Sequence, residues 1–152
     1  MSTDAKVSKN LMQVLKDGEE GFMKAAKDMA SQSRAETAST LEKYSNQRAT
    51  YYAELERLAK GYGDDLEESG SLSAKLHRGW MSVKEALSGS DAAAVLDAAE
   101  QGEDHAKSEY EDALKNDISS DFRVVVQRQY EGICAAHDEV KRLRDTTQNF
   151  HA

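Results

Sequence analysis

Proline is absent from the 152 residues, so nothing in the chain removes an amide donor or forces a kink inside a helix. Cysteine occurs once, as Cys134. That excludes an internal disulfide and makes a reducing cytoplasm the expected compartment. No apolar run approaches the roughly 20 residues that span a bilayer, and the polar segment 1–10 lacks the apolar stretch of a secretory signal. Basic residues are in the minority: 20 Lys and Arg against 28 Asp and Glu leave a net charge of −8. Phosphate binding needs a basic face, so no nucleic-acid partner is expected, and no membrane either. A phosphate-cradling glycine loop and a Ser–His–Asp constellation are both missing, and no pair of histidines has metal-ligand spacing.

What is present is helical periodicity. Leu11, Leu15, Gly18, Phe22, Ala25 and Met29 alternate by four and three within a helix expected near 4–30. Ser33 and Glu36 have capping-box spacing ahead of a second helix near 34–60, with the stripe Leu41, Tyr44, Arg48, Tyr51, Leu55 and Leu58. Gly61-Tyr62-Gly63-Asp64-Asp65 breaks the pattern. A shorter helix near 72–87 follows, for which Trp80 is the expected anchor, and Ser88-Gly89-Ser90 caps the next one. That helix, near 91–115, carries Val95, Ala99, Gly102, Ala106, Glu109 and Ala113. The last, near 119–146, is capped by Ser119 or Ser120 and carries Phe122, Val126, Tyr130, Ile133, His137 and Val140.

Connection lengths set the topology. Short turns make the first two long helices antiparallel, and likewise the last two. The segment of about 61–90 is long enough to climb back along a helix rising 1.5 Å per residue. One long crossover is therefore expected, within a single domain covering 1–152. The class this defines is all-α: a ferritin-like antiparallel four-helix bundle with a short extra helix in its crossover. A faint repeat agrees, Gly18-Glu19-Glu20 echoing Gly102-Glu103-Asp104.

Chemistry in a bundle sits where polar residues fall on apolar stripes, because burial without a partner is costly. His137 and Arg48 are central on their stripes and Glu109 falls on its own; Glu19 and Glu103 flank theirs, with Glu20 and Glu54 further round. Two readings follow. In one, Glu20 (or Glu19, which the helical wheel favours), Glu54, Glu103 and His137 converge on iron or manganese. In the other, Arg48 pairs with the carboxylates, with Glu109 part of the same buried network, and no metal is needed. Di-iron bundles use a Glu-x-x-His pair on two helices; this chain has none, since Cys134 stands three before His137. With no other catalytic motif, an enzyme is not the favoured reading.

The elements Asp17-Gly18-Glu19-Glu20-Gly21-Phe22, Gly70-Ser71-Leu72 with Leu76-His77-Arg78-Gly79-Trp80, Glu100-Gln101-Gly102-Glu103-Asp104, and Arg128-Gln129-Tyr130 with Ala135-Ala136-His137-Asp138 occur in that order. Together they resemble the bacterial ferritin-like four-helix-bundle proteins grouped as a domain of unknown function, distant relatives of rubrerythrin and bacterioferritin. The resemblance spans about 10–145 and implies a ferritin-like fold in a bacterial cytoplasm, a link to stress physiology and no established activity. It moves attention from Glu19 to Glu20.

Three function classes stand at this point: a small non-catalytic helical protein with a buried Glu/Arg/His cluster, a ferritin-like metal-binding protein handling iron or manganese, and a self-assembling or partner-binding helical module. A homo-oligomer is compatible with all three, and the sequence names no protein partner.

Overall fold

The structure, a computed structural model, describes residues 2–60, 80 and 91–150. Four helices account for almost all of them: α1 (Thr3–Ser31), α2 (Ala35–Lys60), α3 (Ala92–Lys115) and α4 (Ser120–Phe150). The short helix expected at 72–87 lies outside the described residues, apart from Trp80. No helix among those described is long and apolar enough to cross a membrane.

Helix ends are set by local chemistry. The Ser2 side chain accepts a hydrogen bond from the Ala5 amide at 3.1 Å and starts α1. Ser33 does not form the expected capping box. It adopts a left-handed backbone, φ 62°, and terminates α1 instead. Its amide donates to Ala30 O at 3.1 Å, and the Arg34 amide donates to Met29 O at 2.9 Å. These two bonds make a Schellman close, a position usually given to glycine. The cap of α3 is Asp91, which accepts from the Ala93 amide at 3.0 Å; the Ser88-Gly89-Ser90 segment expected to cap it lies outside the described residues. Ser119 caps α4 by accepting from the Phe122 amide at 3.4 Å. Arg123 reaches back to the last carbonyls of α3, Leu114 O at 2.6 Å and Asn116 O at 2.9 Å, where a cation opposes the helix dipole.

Cross-helix contacts give the directions. Gly18 meets Arg48 and Ser45 donates to Glu19 O, so α1 and α2 run antiparallel. Asn10 donates to Glu109 and the Ser119 amide to Asp4, which sets α1 antiparallel to α3. Gln129 contacts Tyr110 on one side and Glu54 on the other. With Asp104 beside His137 and Tyr44 beside Glu139, α4 runs antiparallel to both α3 and α2. Around the bundle the order is α1, α2, α4, α3, and α2 and α3 lie parallel on a diagonal. The end of α2 and the start of α3 are therefore at opposite ends of the molecule.

The apolar stripes face inward. Leu11, Leu15, Phe22, Ala25, Met29, Leu41, Leu55, Val95, Ala99, Val126, Ile133 and Val140 are all fully buried, and burying one such large aliphatic or aromatic side chain stabilises by about 1.5–3 kcal/mol. They form two clusters rather than one. Phe22, Met29, Leu41, Tyr44, Trp80, Val95 and Val140 belong to the first. Leu11, Leu15, Leu55, Tyr110, Phe122, Val126 and Ile133 belong to the second. Between them in chain order on α2 and α3 fall Arg48 and Glu103.

Trp80 is a wedge in the first cluster. Its indole is 6% exposed, stands edge-on to Phe22 at 5.0 Å between ring centroids, and lies against both α1 and α3. A Cβ added at Gly21 would fall 2.2 Å from the indole, and one added at Gly102 would fall 2.4 Å from it. Both glycines sit inside helices, where glycine is about 1 kcal/mol worse than alanine. Close approach of the indole to the two backbones is what they provide.

Candidate functional site

The centre of the bundle holds an ion pair. Arg48 Nη1 donates to Glu103 Oε1 at 2.5 Å and Nη2 to Oε2 at 2.6 Å, with both side chains 0% exposed. Arg48 Nε donates to Gln47 Oε1 at 3.1 Å, and the guanidinium lies over the Phe22 ring, 5.2 Å from its centroid. On the α1 side, Gly18 leaves room: a Cβ there would stand 3.2 Å from Arg48 Nη1. The two-pronged geometry matches the planar guanidinium to the carboxylate and strengthens both bonds.

Toward the second cluster a hydrogen-bond chain crosses the bundle. The buried Tyr110 hydroxyl donates to Gln129 Oε1 at 2.7 Å, and Gln129 Nε2 donates to Glu54 Oε1 at 2.7 Å. Burial pushes the Tyr110 phenol well above its ordinary value. Glu54 also accepts from Arg128. Burial pulls the Glu54 carboxyl upward, but the hydrogen bonds from Arg128 and Gln129 outweigh it and hold the group below its ordinary value. Near the other cluster, Tyr44 and Lys43 both donate to Glu139. The Tyr44 bond leads in holding the Glu139 carboxyl below its ordinary value, while burial and then that same bond push the Tyr44 phenol up.

His137 lies at the α3–α4 seam, 9% exposed. Its Nε2 is 2.6 Å from Asp104 Oδ1 and 3.8 Å from Glu100 Oε1, and its Nδ1 is 3.5 Å from Asp138 Oδ1. Glu100 also accepts from Arg144. Arg144 in turn contacts Asp97 at 3.3 Å and Asp145 at 3.0 Å.

The residues proposed as metal ligands thus stand in four places. Glu20 is exposed on α1, where it and the half-buried Glu19 line an open cleft with Met23, Lys24, Lys27 and Ser45. Glu54 belongs to the Gln129 chain, Glu103 faces Arg48, and His137 faces Asp104. Glu109 is half-buried and accepts from Asn10 at 2.8 Å. Among the described residues, one group of three potential ligands comes together, Glu100, Asp104 and His137. Two of its members, together with Gln129 and Arg144, did not stand out on the helical wheel. The i, i+4 spacing of Glu100 and Asp104 was the available signal, and in a Glu-rich helix it is too common to single out a pair.

Iron or manganese at the bundle centre, the metal reading of the polar residues on the apolar stripes, does not fit these residues. Glu103, the fully buried carboxylate opposite Arg48, has both oxygens engaged by the guanidinium.

Fold and interior define a helical bundle whose core is divided by a salt-bridged layer. Its family is known: the chain belongs to the family described as a domain of unknown function (DUF2383), whose model matches residues 6–116. The matched stretch contains Arg48, Glu103 and Trp80, while His137 and the rest of α4 lie beyond it. No curated protein matches the chain.

Proposed function

We propose that this protein is a ferritin-like four-helix module of the bacterial cytoplasm whose interior serves folding specificity rather than catalysis. The observation that carries the reading is the fully buried Arg48–Glu103 fork, set in the bundle core, where helical bundles that bind metal gather their carboxylates. Two further features support it. The diagonal, parallel placement of α2 and α3 requires a single long connection, as in one-crossover bundles. The lone Cys134 and the net charge of −8 suit a soluble protein in a reducing compartment. A buried polar layer fixes the register of packed helices, because any slip leaves a charge unpaired. The module then acts as a rigid non-catalytic body, and the link to stress physiology rests on the family resemblance.

Anaerobic titration with Fe(II) and Mn(II) tests this reading on three proteins: wild type, Glu103→Gln and the apolar pair Arg48→Met/Glu103→Leu. Binding that is identical in all three is expected, since none of it involves the centre. Stoichiometric metal lost from both variants, with helicity intact by circular dichroism, would overturn the proposal.

A further inference from the structure

We propose that Glu100 and Asp104 of α3, with His137 of α4, form a binding site for a divalent first-row transition metal at the α3–α4 seam. The site is separate from the bundle centre, and the inference does not depend on the reading given for Arg48 and Glu103.

Geometry is the first argument. Glu100 and Asp104 are one helical turn apart on one face of α3, and the neighbouring helix brings His137 Nε2 up against both. One ligand atom from each of the three lies within 4.8 Å of the others. Metal–nitrogen and metal–oxygen bonds of about 2.0–2.2 Å place ligand atoms about 3–4 Å apart. The 3.8 Å between Nε2 and Glu100 Oε1 already meets that. The 2.6 Å contact between Nε2 and Asp104 Oδ1 must open by several tenths of an ångström. Asp104 has the freedom to do so, its side chain being 62% exposed.

Surroundings give the second argument. Asp138 Oδ1 lies 3.5 Å from Nδ1 of the same imidazole, where an outer carboxylate orients a ligating histidine and raises its basicity. Arg144 contacts Glu100 but keeps Asp97 and Asp145 as partners. Glu100 can therefore turn to a cation without stranding the guanidinium. One imidazole and two carboxylates, with no sulfur, suit Zn(II), Co(II), Mn(II) or Fe(II) rather than a soft ion. The exposed Asp104 side leaves room for water to complete the coordination shell.

The test uses tag-free, chelator-stripped protein titrated with Co(II), followed by visible absorption, and with Zn(II), followed by calorimetry. One equivalent of each is expected. Asp104→Asn and His137→Gln should each weaken binding at least about tenfold, and Asp138→Asn should weaken it about 10-fold or more through the imidazole. Arg144→Gln should tighten binding, because it removes a competing cation; a purely structural ion-pair network would show no such gain. Glu103→Gln should leave binding unchanged, which separates this site from the bundle centre. Absence of stoichiometric binding in the wild type, or binding indifferent to both Asp104→Asn and His137→Gln, would overturn the proposal. Asp104 is exposed, so its variant should fold whether or not His137→Gln does.

Discussion

At the residue scale, the decisive feature is a charge pair with no access to water. Removing two ions from solvent is expensive, and their attraction offsets this only when the geometry satisfies both. The fork between Arg48 and Glu103, with Gln47 on Nε and the Phe22 ring beneath, meets that condition. Breaking the pair is therefore expected to cost far more than replacing it. Arg48→Met alone should destabilise the fold by about 3–5 kcal/mol, and Arg48→Met/Glu103→Leu should recover most of that loss or exceed wild type. Urea unfolding of the two single variants and the double variant measures the coupling. Additive single effects would mean that the pair contributes nothing as a pair. Arg48 was legible from the sequence because a long cation on an apolar stripe must have a partner. Which carboxylate it takes was not legible, since a helical wheel gives the angle of Glu103 and not what stands opposite.

Elements in this bundle are tuned by glycine where backbones must approach, and lack it where one would fit. Trp80 rests on Gly21 and Gly102, so Gly21→Ala sets a gain in helix propensity of about 1 kcal/mol against overpacking of about 1–3 kcal/mol. The clash should win, and net destabilisation is expected. As Trp80 is the only tryptophan, its fluorescence reads the same wedge: emission should be blue-shifted in the native protein and move to the red in Gly21→Ala or Gly102→Ala. Unchanged emission and melting in both variants would mean that the indole does not sit against these backbones. Ser33 is the opposite case. It occupies a left-handed position, φ 62°, that costs a residue with a Cβ about 1–2 kcal/mol. Ser33→Gly should raise stability by about 0.5–1 kcal/mol after the larger unfolded-state entropy of glycine is counted. A lower melting temperature for Ser33→Gly would restore the capping role that its spacing from Glu36 suggests.

For the whole molecule, the relevant variable is pH. Glu54 and Glu139 both have folded-state values below the ordinary one. Their contribution is fully present above the unfolded carboxylate value near about 4.3 and is lost as pH falls through the folded values. Acid unfolding monitored by circular dichroism should steepen below about pH 4.3, and Glu54→Gln with Glu139→Gln should flatten that limb. Tyr44 and Tyr110 are raised, so the sign reverses. Their contribution is intact below about pH 10, the ordinary tyrosine value, and is lost as pH rises from there toward the folded values. Tyr110→Phe should soften the alkaline limb. Identical acid and alkaline profiles for wild type and variants would show that these networks do not couple protonation to folding.

Local chemistry determined the helices. Proline's absence, apolar residues spaced by three and four, and short polar breaks gave four long helices close to where they stand, because periodicity and capping act within a few residues. Tertiary structure decided the partners. Glu103 faces a guanidinium 55 positions away, His137 faces Asp104 and Glu100, and Gln129 joins Tyr110 to Glu54. Each pairing depends on how far one helix is rotated and slid against another, a quantity carried by the summed packing of both apolar clusters and by no single stretch of sequence. Even Ser33 follows this rule: its serine allows either a cap or a left-handed turn, and the close return of α2 along α1 selects the turn.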